Sequence, residues 1–169
     1  MVDEELEQLA ANVGFALQRA GLRLVTAESC TGGWVGEAVT AIAGSSDWFD
    51  RGFITYSNAA KRDVLGVAGI TLNQHGAVSE ETAREMALGA LKHSRAQISV
   101  AITGVAGPGG GSADKPVGTV CFAWAKNDAA LRSERHLLEG DRTEVRRQSV
   151  VIALRGLLGL SSQDETAVA

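Results

Sequence analysis

Leu22-Arg23-Leu24-Val25-Thr26-Ala27-Glu28-Ser29-Cys30-Thr31-Gly32-Gly33 decides the fold. Residues 22–27 alternate well enough, and carry enough β-branched side chains, to predict a strand. A short polar turn with two glycines follows, and residues 33–43 then carry a helical pattern. A strand that passes through a tight turn straight into a helix opens a β–α unit, the repeating piece of a layered α/β domain.

The flanking sequence extends this pattern. Upstream, Leu6, Leu9, Val13 and Leu17 recur at helical spacing, and Gly21 stands where a C-terminal cap belongs. Downstream, residues 52–56 read as a second strand, and Asn58 as the cap of a short helix running through Lys61 to Leu65. Ser79 caps a predicted helix whose apolar face holds Ala83, Met86, Ala87, Ala90 and Leu91, and residues 97–103 form a third strand. Residues 117–125 and 131–137 read as a hairpin joined near Asn127-Asp128. Asp141 with Glu144 resembles a capping box that opens a last helix bearing Val145, Ile152, Leu154, Leu157 and Leu158. Strands and helices alternate first and the hairpin comes late. The expectation is one domain over residues 1–160, a three-layer α/β/α sandwich with a mixed sheet, followed by a fraying tail at 161–169.

Composition narrows the function. The chain has 169 residues, 45% of them apolar, with a net charge of -4. No overall basic field recruits nucleic acid, so an anionic ligand needs a local cluster of donors, which suits a small phosphate-bearing molecule. The two cysteines, Cys30 and Cys121, have neither disulfide-scaffold nor metal-ligand spacing, and no metal or cofactor is expected. The N-terminus is acidic, without the pattern of a signal peptide, and no apolar run approaches the ~20 residues of a membrane span. A cytoplasmic enzyme is the expectation, forming a homo-oligomer as α/β enzymes of this size often do.

Ligands of α/β sheets collect where strands end and loops lead into helices, and three such loops stand out. In the first, Ser29 lies beside the free amides of a helix start, which favour negative charge and can hold an oxyanion. Ser29 or Thr31 acting only as a helix cap is the competing reading. Cys30 is a rival nucleophile, or a small buried hydrophobe. In the second, Tyr56-Ser57-Asn58-Ala59-Ala60-Lys61, the helix dipole and burial both oppose a charged Lys61, so a neutral lysine able to take a serine proton becomes accessible. A solvated surface lysine is the alternative, and Tyr56 either donates to the reacting group or lines the cleft. In the third, Thr103-Gly104-Val105-Ala106-Gly107-Pro108-Gly109-Gly110-Gly111 offers amides to a phosphate, or is simply a flexible loop. Arg142 and Arg146, four apart, share a helix face and suit phosphate or carboxylate, or pair with Glu139 and Glu144.

Taken together, Thr26-Ala27-Glu28-Ser29-Cys30-Thr31-Gly32-Gly33, Gly52-Phe53-Ile54-Thr55-Tyr56-Ser57-Asn58, Thr103-Gly104-Val105-Ala106-Gly107-Pro108, Lys115-Pro116-Val117-Gly118-Thr119-Val120 and Gly140-Asp141-Arg142 resemble the CinA C-terminal domain family. The resemblance runs from about Leu6 to Leu158 and lacks the N-terminal domain of longer members. It implies the stand-alone form, which hydrolyses nicotinamide mononucleotide to nicotinate mononucleotide and ammonia. It places the family's serine on Ser29, its lysine on Lys61, its tyrosine on Tyr56, its threonine on Thr103 and an arginine on Arg142. Substrate contacts are then expected from Cys30, Thr31, Gly32, Thr103, Gly104, Arg142 and Arg146. The rival reading is a catalytically silent module that keeps the pocket to sense nucleotides or bind a partner.

Overall fold

The computed structural model describes residues 3–127 and 130–162. In chain order the elements are α1 (Glu4–Ala20), β1 (Leu24–Glu28), α2 (Trp34–Thr40), β2 (Phe49–Ile54), α3 (Asn58–Leu65), α4 (Gly69–His75), α5 (Glu80–Lys92), β3 (Ile98–Gly104), β4 (Thr119–Lys126), β5 (Ala130–Leu137) and α6 (Arg142–Ser162). The strands form one sheet in the order β2-β1-β3-β4-β5. β1 runs parallel to both β2 and β3, while β3–β4 and β4–β5 are antiparallel. This is the expected mixed sheet.

Two apolar layers enclose the sheet. On one face Leu17, Leu24, Trp48, Val100, Phe122 and Leu154 pack beneath α1, α2 and α6. On the other Val25, Ala27, Leu65, Met86, Ala101 and Ala123 pack beneath α3 and α5. Successive residues of a strand point to opposite faces, so Leu24 and Val25 enter different cores. Both faces are covered, and every residue of β1 is buried. The apolar–polar alternation expected over residues 22–27 is therefore absent from the strand itself, as in other strands covered on both sides.

The local signals mostly hold. Gly21 caps α1 in the left-handed region at φ 68°, and Ser79 caps α5 by accepting from the Thr82 amide. Asp141 Oδ1 accepts the Glu144 amide at 2.9 Å at the start of α6. Other boundaries shift. α3 is capped by Ser57, whose hydroxyl accepts the Ala60 amide at 3.0 Å, and Asn58 is its first helical residue. β2 begins three residues before the predicted Gly52, at Phe49. α4 was not predicted. The hairpin is present with Asn127 in its turn, while Asp128 lies outside the described residues. α6 continues through Ser162, and the rest of the expected tail, 163–169, is likewise outside the described residues. Among the described residues no helix is long and apolar enough to cross a membrane.

Candidate active site

The carboxyl ends of β1, β2 and β3 lie side by side, and each delivers one of the singled-out loops. Ser29 is the first residue past β1. Its amide still donates to the Ile102 carbonyl at 3.0 Å, so its Cα is held by the sheet. The chain then reverses through Gly32 (φ 60°) and Gly33 (φ 101°), backbone angles that favour glycine. Gly32 N–H closes the turn on the Ser29 carbonyl at 3.0 Å.

Neither Ser29 nor Thr31 caps α2. Gly33 occupies the cap position and supplies no side chain. The buried carboxylate of Glu28 does the work instead. It accepts from Thr31 Oγ1 at 2.7 Å, from the Val35 amide at 2.9 Å and from the Gly36 amide at 3.0 Å. An anion at a helix N-terminus satisfies free amides and is favoured by the dipole. Sequence reasoning passed over Glu28. The available signal was a carboxylate at a strand end, one turn ahead of a helix start that carries no capping side chain. With the capping done from behind, the Ser29 hydroxyl is left for other work.

Lys61 supplies it. Its side chain is 1% exposed, and Nζ lies 2.9 Å from Ser29 Oγ and 2.8 Å from the Thr55 carbonyl. Thr55 is itself fixed, because its amide donates to the Glu28 carbonyl at 2.8 Å. Burial, which penalises the charged form, holds the Lys61 pKa below its ordinary 10.5. Cys30 is also buried, and burial pushes its thiol up to about 12. It stays protonated and makes a poor nucleophile.

Ser29, Cys30, Tyr56, Lys61, Thr103, Gly104 and Arg142 line one open cleft of about 290 Å³, whose far wall is the glycine-rich segment 107–111. The Thr103 hydroxyl donates to the Ala77 carbonyl at 2.8 Å. This ties in the α4–α5 connection, whose Ala77 and Val78 also line the cleft and were missed from sequence. Tyr56 stands largely exposed at the rim, its hydroxyl accepting from Arg142 at 3.0 Å, while Arg142 also donates to the Gly107 carbonyl at 2.8 Å. Three anticipated contact residues lie behind the cleft. Thr31 spends its hydroxyl on Glu28, Gly32 forms the turn, and the Arg146 guanidinium donates to the carbonyls of Cys30 at 3.0 Å and Thr31 at 3.1 Å. Among the described residues, no three His, Cys, Asp or Glu side chains cluster as a metal site.

A mixed-sheet α/β domain with a buried serine–lysine pair at the carboxyl ends of its parallel strands is the class of protein that fold and site define. The chain belongs to the CinA C-terminal domain family, whose profile matches residues 6–160. It is 55% identical over 157 residues to nicotinamide-nucleotide amidohydrolase PncC of Escherichia coli strain K12, covering 93% of this chain and 95% of that one. It is 48% identical over 160 residues to the protein of the same name from Pseudomonas putida, covering 95% and 99%. The crystal structure of competence/damage inducible protein CihA from Agrobacterium tumefaciens superposes with a TM-score of 0.92 at 48% identity, covering 95% of this chain and 98% of that one.

Proposed function

We propose that this chain is an amidohydrolase that converts nicotinamide mononucleotide to nicotinate mononucleotide and ammonia, a step of pyridine-nucleotide salvage, with Ser29 as nucleophile and Lys61 as its base. The observation that carries the reading is the 2.9 Å contact between Lys61 Nζ and Ser29 Oγ, both buried. The names of the Escherichia coli and Pseudomonas putida relatives support the substrate.

The chemistry follows from the protonation state of Lys61. A neutral amine keeps a lone pair, which accepts the Ser29 hydroxyl proton while one N–H stays on the Thr55 carbonyl. Ser29 Oγ attacks the carboxamide carbon as its proton passes to Nζ. Amides of the turn after Ser29 hold the oxyanion, and one such donor is typically worth about 3 kcal/mol of barrier. Lys61 returns the proton to the departing nitrogen, the C–N bond breaks and ammonia leaves. Water, losing its proton to Lys61, then attacks the acyl carbon; the bond to Ser29 Oγ breaks, Lys61 returns the proton to Oγ, and the carboxylic acid leaves. The ligand's phosphate is assigned to Arg142 and the glycine-rich segment of the cleft wall. The chain is proposed to act as a symmetric homo-oligomer on this small nucleotide, without nucleic acid, and light scattering reads the oligomeric state.

The test is ammonia release from the mononucleotide by the wild type, Ser29→Ala and Lys61→Ala. Each variant is expected to lose about 10³-fold or more in kcat, the scale seen when a nucleophile or its base is removed. Wild-type-like turnover in either variant overturns the assignment. Tight nucleotide binding by a wild type that forms no acid product would favour the sensing module instead.

A further inference from the structure

Arg146 is half-buried and stands outside the cleft, on the face of α6 that meets the serine turn. Nε donates to the Cys30 carbonyl at 3.0 Å and a terminal nitrogen to the Thr31 carbonyl at 3.1 Å. The guanidinium also lies over the Trp34 ring, 5.4 Å from its centroid, at the first residue of α2. Arg142, one helical turn earlier, faces the cleft, so Arg142 and Arg146 serve two different tasks from one helix.

We propose that Arg146 is a positioning residue that sets the peptide planes after Ser29 and presents the Thr31 amide to the oxyanion, and that it is not a ligand of the substrate's phosphate. The inference rests on Ser29 being the nucleophile. In a trans peptide the C=O and the following N–H point in opposite directions. A guanidinium holding the Cys30 carbonyl therefore turns the Thr31 amide to the side of the turn away from Arg146. Among the described residues, that amide has no backbone carbonyl or side chain as acceptor, whereas the Gly32 amide is spent on the Ser29 carbonyl. A cation at the oxygen end of a peptide also polarises its N–H end, which strengthens the donor where negative charge develops. Glu28 grips the same turn through the Thr31 hydroxyl and the Val35 and Gly36 amides. The turn is thus held between a carboxylate on the Thr31 hydroxyl and the first amides of α2 and a guanidinium on the turn's own carbonyls. Small displacements of such donors cost rate and leave binding little changed.

The experiment measures kcat and KM for ammonia release from nicotinamide mononucleotide, and the inhibition constant of inorganic phosphate, in wild type, Arg146→Ala, Arg146→Lys and Arg142→Ala. Arg146→Ala is expected to lose about 10- to 100-fold in kcat, with KM and the phosphate constant held within about twofold. Arg146→Lys keeps the charge but not the paired geometry and is expected to recover part of the loss. If Arg146→Ala does not fold, Arg146→Lys carries the same test through its kcat and KM. For Arg142→Ala the loss is expected in KM and in the phosphate constant. A rise of about tenfold in KM or in the phosphate constant of an Arg146 variant, with kcat unchanged, overturns the proposal. So does an unaltered kcat in Arg146→Ala. A wild type that releases no ammonia removes the serine reading itself, and this inference with it.

Discussion

Lys61 Nζ and Ser29 Oγ, 32 positions apart in the chain, stand 2.9 Å from each other in the lining of the cleft. Burial favours the neutral amine, so the base is available at a pH below that of an exposed lysine. kcat/KM for ammonia release is expected to rise with pH while Lys61 loses its proton and then to level off. Lys61→Arg, permanently charged, is expected to lose about 10³-fold or more. A flat profile in the wild type, or an active arginine variant, would remove Lys61 as the base.

The same burial has a cost in stability. Between the lowered pKa of Lys61 and its ordinary 10.5, the unfolded chain binds more protons at this site than the folded one. The free energy of unfolding therefore rises with pH through that window. Lys61→Met removes the site's contribution. Its stability relative to wild type is expected to be highest on the acid side of the window and to shrink as pH approaches 10, read from urea midpoints at several pH values. A difference independent of pH between neutrality and pH 10 would contradict the buried, depressed lysine.

Cys30 borders the nucleophile and is chemically quiet. With its thiol pushed up to about 12, only about one molecule in 10⁴ carries a thiolate at pH 8. Alkylation of Cys30 by iodoacetamide is expected to be far slower than that of a free thiol, and Cys30→Ala to keep activity within about threefold of wild type, as suits a small packing change. Rapid alkylation with parallel loss of ammonia release would promote the thiol to nucleophile.

The chemistry-bearing residues were legible in the sequence, and their meeting was not. Ser29 and Lys61 each stood out at a helix start. What joins them is the parallel pairing of β1 with β2, which sets Glu28 beside Ile54 and so brings two strand ends together. Strand order leaves no trace in local periodicity. Glu28 was passed over, and Arg146 was read as a substrate contact, for another reason: both hold backbone groups, which have no signature in sequence. Their partners are set by the turn through Gly32 and Gly33, which only the folded chain shows. α4 was missed because it is short and buries only Leu72.

Glu28 invites a test of its capping role. Its two carboxylate oxygens accept three hydrogen bonds. Glu28→Gln keeps the shape but sets an NH₂ against an amide or hydroxyl that also donates, leaving buried donors unpaired. A loss of about 2 kcal/mol in unfolding free energy is expected, with the denaturant slope unchanged. An unchanged urea midpoint would show that the carboxylate is dispensable for holding the turn.

Placement of Lys61 also depends on how closely α3 lies against α5. A Cβ added at Gly89 would fall 2.0 Å from the Leu65 carbonyl oxygen, nearer than any side chain tolerates. Leu65 lies one helical turn beyond Lys61 on α3. Gly89→Ala must therefore push α3 off α5, and the shift carries Lys61 Nζ away from Ser29. Overpacking of this kind costs about 1–3 kcal/mol of stability. Displacing the base by about 1 Å is expected to lower kcat by tenfold or more even in the fraction that stays folded. Thermal unfolding and single-turnover ammonia release separate the two effects. A destabilised Gly89→Ala whose folded fraction keeps the wild-type single-turnover rate would show that the α3–α5 contact stabilises the domain without setting the base.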